Sequence, residues 1–191
     1  MTDIYTRIEA EMPVLRRYAR ALVRNPTEAD DLVQECVTRA LTKHHLWREG
    51  TNLRAWLFTI LHNQYVNHVR RSARTGTTVE YDEGDLPLRL PATQEKRLEL
   101  RDLDRALGRL PPEQRAVILL IGLEGMVYCD VAAALGIPVG TVRSRLSRGR
   151  ATLRGLMGFE PDRSDEIAVP AAHQRAYSPG ADLRLATADC R

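Results

Sequence analysis

The chain has 191 residues, 43% of them apolar and 28% charged, enough for one modest core or two small ones. Its longest apolar run, Ala116 to Gly122, falls well short of the roughly 18 residues that a membrane span requires, so no insertion into a bilayer is expected. The formal charge of +3 hides a segregation: net +4 over residues 1–74, −4 over 75–95, +5 over 96–157 and −2 over 158–191, as if two nucleic-acid-facing blocks were separated by an acidic segment.

The first residues, MTDIYTRIEAEMP, carry acids and no apolar stretch, which argues against a secretory signal and for a cytoplasmic protein. A helical face follows at Val14, Leu15, Tyr18, Ala19 and Leu22. From Glu28 a second face recurs through Leu32, Val33, Cys36, Val37, Ala40 and Leu41. Thr27 is the expected cap, with Asp30 three residues on as a short-armed capping box and Asn25-Pro26 as the preceding turn. A third helix is predicted after Asn52, a good cap, through Leu53, Trp56, Leu57, Ile60 and Leu61 toward Arg74.

Between Thr75 and Ala92 the sequence TGTTVEYDEGDLPLRLPA is rich in Gly, Pro and acids without a sustained apolar period, and reads as a flexible linker. Beyond it Leu103, Ala106, Leu107 and Leu110 define a helix ending at Pro111-Pro112, and Glu113 to Leu123 the next. Then come a short helix Tyr128 to Leu135, a turn at Gly136, Ile137 and Pro138, and a helix from Val139 to about Met157, the order of a helix-turn-helix. Small Ala132 and Ala133 suit close helix approach, and Ile137 can plug the turn. After Gly158, Pro161, Pro170, Pro179 and Gly180 are scattered among Ala, Asp and Ser, the pattern of a poorly ordered tail. Alternation at period two is absent. The expected fold is all-α, with two small helical domains, 1–74 and 96–157, joined by the linker 75–95 and followed by the tail 158–191.

On the last helix, Val142, Leu146, Gly149, Leu153 and Leu156 share one sector. Opposite lie Ser144 and Ser147, flanked by Arg143 and Arg150 on one side and by Arg148 and Arg145 on the other. From Val139 to Arg154 there are five arginines and no acid, whereas solvated helices usually interleave Glu with Lys or Arg. Small hydroxyls let a helix sink into the major groove while arginines reach phosphates or guanine edges. This helix is the candidate DNA reader.

Enzyme chemistry is not expected. No Ser/His/Asp order, glycine-rich phosphate loop or metal cluster is visible, and His62 and His68, six residues apart, do not share a helix face. Three widely spaced cysteines, Cys36, Cys129 and Cys190, form no CxxC pair and read as reduced thiols. No cofactor, metal or small-molecule substrate is implied.

Four segments, ADDLVQECVTRAL (Ala29 to Leu41), GTNLRAWLFTILHNQYVNHVRR (Gly50 to Arg71), LGRLPPEQRAVILL (Leu107 to Leu120) and GTVRSRLSRGRATLR (Gly140 to Arg154), together resemble the extracytoplasmic-function sigma factors. The likeness covers roughly residues 8 to 157, and GTNLRAWLFTIL is most similar to the subgroup that runs general stress responses. The resemblance implies that Asp30, Asp31, Gln34, Glu35 and Thr38 bind core RNA polymerase. It implies that Asn63, with Asn67, His68, Arg70, Arg71 and Arg74, reads the −10 promoter element, including bases turned out of the duplex, and that the loop His44 to Thr51 walls their pocket. It places Thr141, Arg143, Ser144, Arg145, Ser147, Arg148 and Arg150 on the −35 element, and an anti-sigma factor among the partners. Trp56, on the apolar face, is expected in the core; Trp47 is either core or a stacking surface. The sequence departs from the family at Gln64, usually apolar, at Asn67, commonly aspartate, and at His62, which points to an unusual −10 preference. Two other readings stay open: a plain helix-turn-helix regulator, which leaves the DDLVQE surface without a role, and a sigma mimic that sequesters an anti-sigma protein, a class that usually loses the basic helix kept here.

Overall fold

The computed structural model describes residues 4–75 and 94–159. Among them every regular element is helical: α1 (Ile4–Val23), α2 (Pro26–Thr42), α3 (Leu53–Thr75), α4 (Gln94–Gly108), α5 (Pro112–Ile118), α6 (Tyr128–Leu135) and α7 (Val139–Leu156). Most of the linker and nearly all of the tail lie outside the described residues, so the expectations for them have no structural counterpart.

The first block is a three-helix packing of α1, α2 and α3. Helix α1 buries Ile8, Leu15, Tyr18, Ala19 and Leu22 on one stripe, and its interior Pro13 sits on the exposed side, where water reaches the backbone carbonyl that the missing N–H leaves free. Tyr18 meets Phe58 of α3 edge to face, ring centroids 5.0 Å apart, a geometry favoured by the ring quadrupoles. The cap of α2 differs from expectation. Asn25, not Thr27, holds the N-cap position, its Oδ1 accepting from the Glu28 N–H at 3.1 Å, while Pro26 occupies the first turn where no N–H is needed. Thr27 is exposed. Asn52 caps α3 as expected, accepting from the Ala55 N–H at 3.2 Å.

In the second block the predicted helix from Glu113 to Leu123 changes character halfway. It is α-helical over Pro112–Ile118 and then widens into a π turn over Leu119–Leu123, closed by the Glu124 N–H on the Leu119 carbonyl at 3.1 Å. Helices α6 and α7 are joined by the expected turn, in which Gly136 takes a left-handed φ of 64° that a side chain would resist. Val142, Leu146 and Gly149 are buried and Leu153 packs against the core, but Leu156, expected on the same stripe, is 39% exposed because α7 runs past its neighbours. Gly149 is where α7 crosses closest to α5: a Cβ there would overlap the end of the Ile118 side chain.

One apolar core runs through both blocks, and helix α3 packs along α6. The guanidinium of Arg115, only 4% exposed, donates to the carbonyls of Leu107, Gly108 and Leu110 at the end of α4, and to that of Leu22 at the end of α1, at 2.8–3.2 Å. A buried cation thus supplies donors to carbonyls at two helix C-termini, that of Leu107 also accepting from the Leu110 N–H at 3.2 Å.

Candidate nucleic-acid and polymerase surfaces

Helix α2 turns its apolar stripe inward, which fixes the opposite face to water. Asp31, Gln34, Glu35 and Thr38 are exposed on that face. Asp30 is half-buried at its edge, 3.5 Å from Arg20. Glu35 lies 3.4 Å from Arg39 one turn on, and the Thr38 hydroxyl donates to the Gln34 carbonyl at 2.8 Å. The acids and amide form one continuous patch.

Helix α3 divides the residues assigned to the −10 element. Asn63, Asn67 and Arg70, spaced four and three apart, line one cavity of about 610 Å³ between α3 and the second block. His68 points the other way, into a narrow groove against α2, with its Nε2 3.7 Å from Glu28. Arg71 is exposed, its Nε donating to the Asn67 carbonyl at 3.4 Å. The Arg74 side chain lies outside the described set. Thr59, which sequence reasoning does not place here, and His62, singled out there only as a departure from the family pattern, line the same cavity. Burial, reinforced by Arg145 across the gap, pushes the His62 imidazole down to about 4, so it is neutral near pH 7. Gln64, a departure from the family pattern, is 2% exposed and inside the core, with neither amide atom bonded to a protein partner.

On α7, Arg143, Ser144, Ser147, Arg148 and Arg150 are exposed, and Thr141 is half-buried at the first turn, its carbonyl accepting from the Ser144 hydroxyl at 3.0 Å. Arg145 differs from the other arginines of α7: it is half-buried and lines the cavity beside His62. The exposed remainder is a run of arginines and small hydroxyls with no acid among them.

In the loop before α3, Trp47 packs against the core with the Arg7 guanidinium 4.6 Å from its ring centre, a cation–π contact, so one face of the ring is already occupied. Trp56 packs against the core as expected. Cys36 is buried beside the Leu57 carbonyl, and burial pushes its thiol up to about 12, which makes it inert near neutral pH.

A three-helix block bearing an acidic patch, packed with a helix-turn-helix whose second helix is arginine-rich, is the architecture of a small sigma factor. Residues 8–62 match the family model described as the sigma2 domain of PhyR, and residues 100–153 match that of sigma-70 region 4. The ECF RNA polymerase sigma factor EcfG of Rhodopseudomonas palustris is 40% identical over 152 residues, which span 78% of this chain and 82% of the relative. A solved complex of the sigma factor RpoE with the anti-sigma factor NepR from Bartonella quintana superposes with a TM-score of 0.71 at 34% identity, covering 84% of this chain and all of the other. CnrH, solved with the cytosolic domain of CnrY, gives a TM-score of 0.59 at 29% identity, covering 81% and 87%. The chain belongs to the extracytoplasmic-function sigma factor family.

Proposed function

We propose that the chain binds core RNA polymerase through Asp30, Asp31, Gln34, Glu35 and Thr38 of α2 and directs initiation at promoters read at two elements. Helix α3 takes the −10 element through Asn63, Asn67 and Arg70, with His68, Arg71 and Arg74 completing the helix, and α7 takes the −35 element through Thr141 to Arg150. The observation that carries this reading is the coexistence in one chain of an exposed acid-and-amide face on α2 and an exposed, acid-free arginine face on α7. Amides and cations suit single-stranded bases and backbone. Each contact alone is weak and salt-dependent, whereas polymerase presents both blocks together and multiplies affinity through effective concentration. The functional division follows residues 1–74 and 96–157, and the work is done in the cytoplasm without catalysis by the chain itself.

The RpoE relative is solved with the anti-sigma factor NepR, which supports an anti-sigma factor as the regulator here. A second reading, a mimic that only sequesters such a partner, draws on the match of residues 8–62 to the PhyR model. The exposed arginines of α7 favour promoter binding over it. Transcription with core polymerase over a randomised promoter library separates the two: a promoter-directing chain enriches two spaced sequence blocks among the transcripts, and a mimic enriches none.

A further inference from the structure

The cavity of about 610 Å³ beside α3 has the size of a small-molecule site. Thr59, His62, Asn63, Val66, Asn67 and Arg70 reach it from α3, their three- and four-residue spacing forming one stripe of the helix. Arg145 of α7 lies across from them, and Ala133 and Leu135 of α6 add an apolar wall. Among the described residues, the side chains of Asn63, Asn67, Arg70 and Arg145 make no hydrogen bond or ion pair with the protein. The Nδ1 of His62 is buried without a partner. Arg145 breaks a pattern, because Arg20, Arg24 and Arg54, half-buried as it is, each meet a carboxylate. Glu113 also lines the cavity, but it is exposed and pairs with neither Arg70 nor Arg145. Holding a cation, two amides and an imidazole partly out of water without partners is costly, and a ligand that supplies acceptors recovers the loss.

These groups are ordered along the helix. Arg145 and His62 mark one end, and Arg70 marks the other, eight residues on from His62 or about 12 Å along the axis. A guanidinium beside a neutral imidazole that can donate suits a phosphate, and an arginine meets the O6 and N7 of guanine with two parallel hydrogen bonds. Asn63 and Asn67 stand between the ends, amides able both to donate and to accept toward ribose hydroxyls and a base edge. Val66 and Leu135 offer apolar contact to the face of a base. We infer that the cavity binds a free guanine mononucleotide, its phosphate on Arg145 and His62 and its base on Arg70 and Asn67. Asn63, Asn67 and Arg70 are also assigned above to the −10 strand. Resting on that reading, the nucleotide and the strand compete for the same side chains.

The test is calorimetric titration of the full chain with guanosine monophosphate (GMP), adenosine monophosphate and inorganic phosphate. Expected is GMP binding at least about tenfold tighter than either control, since each end of the cavity contributes a charge-assisted contact. Arg145→Gln removes the phosphate partner, and Ala133→Phe fills the cavity from α6 while leaving the α3 stripe intact. Both variants, verified as folded by circular dichroism, should weaken GMP at least about tenfold. Amide shifts on adding GMP should fall on Thr59 to Arg70 and Ala133 to Gly136, and not on the outward run of Arg143, Arg148 and Arg150. GMP binding no tighter than the controls, equal binding by wild type and both variants, or shifts confined to the outward arginines would overturn the proposal. A single-stranded −10 oligonucleotide tells the two ideas apart. If GMP binds in the cavity without displacing that strand, the −10 assignment of these side chains fails and the nucleotide site stands.

Discussion

Arg115 illustrates how one residue can hold two helix ends. Its guanidinium spans carbonyls of Leu107, Gly108, Leu110 and Leu22, so truncation strands several buried acceptors at once. Arg115→Ala should cost roughly 3 kcal/mol or more, and Arg115→Lys should recover little, because an ammonium lacks the planar fork; urea unfolding measures both. His62 sets a pH dependence. Its folded value of about 4 lies below the ordinary 6.5, so between these values the unfolded chain binds the proton and the folded chain does not. Stability from this site is complete above pH 6.5 and falls as pH drops toward 4, by at most about 1.4 kcal/mol per pH unit. His62→Gln should flatten that segment of the stability profile; an unchanged slope between about pH 6.5 and 4.5 would mean that His62 is not held neutral.

At the scale of elements, α7 carries the sharpest expectation. Arg143→Glu with Arg148→Glu should weaken −35 duplex binding by at least about tenfold and lower the salt slope by about 0.9 for each phosphate no longer neutralised, measured by anisotropy across a salt series. Helical periodicity makes α1, α2, α3 and α7 legible, since buried positions such as Leu32, Val33 and Cys36 recur at the spacing that an inward face demands. What escapes it is local and stereochemical. Asn25-Pro26 looks like a turn, yet the same pair makes an N-cap followed by an N1 proline, and Asn25 outcompetes Thr27 for the role. The run Leu119–Leu123 is apolar throughout, so nothing in it marks the step from α to π geometry. Angle alone groups Arg145 with its arginine neighbours; only the placement of α3 reveals that it faces His62.

Over the whole molecule the legible and illegible parts separate by range. Two basic blocks separated by an acidic segment are readable from segregated charge and motif order, and Asn63, Asn67 and Arg70 do share a cavity. Their mutual packing is not readable. It rests on the apolar core shared by both blocks and on pairs such as Arg17 with Glu124 and Arg24 with Asp104, 107 and 80 residues apart, which no periodicity announces. The presence of both an acidic α2 face and an arginine α7 face makes cooperation between blocks the central claim, and it has a direct measurement. Initiation by core polymerase plus this chain should be followed on one cognate promoter and on templates with the −10 or the −35 block scrambled. Strong initiation on the intact template and its disappearance with either scramble is the predicted result; equal transcript from all three templates, or none from any, would contradict it.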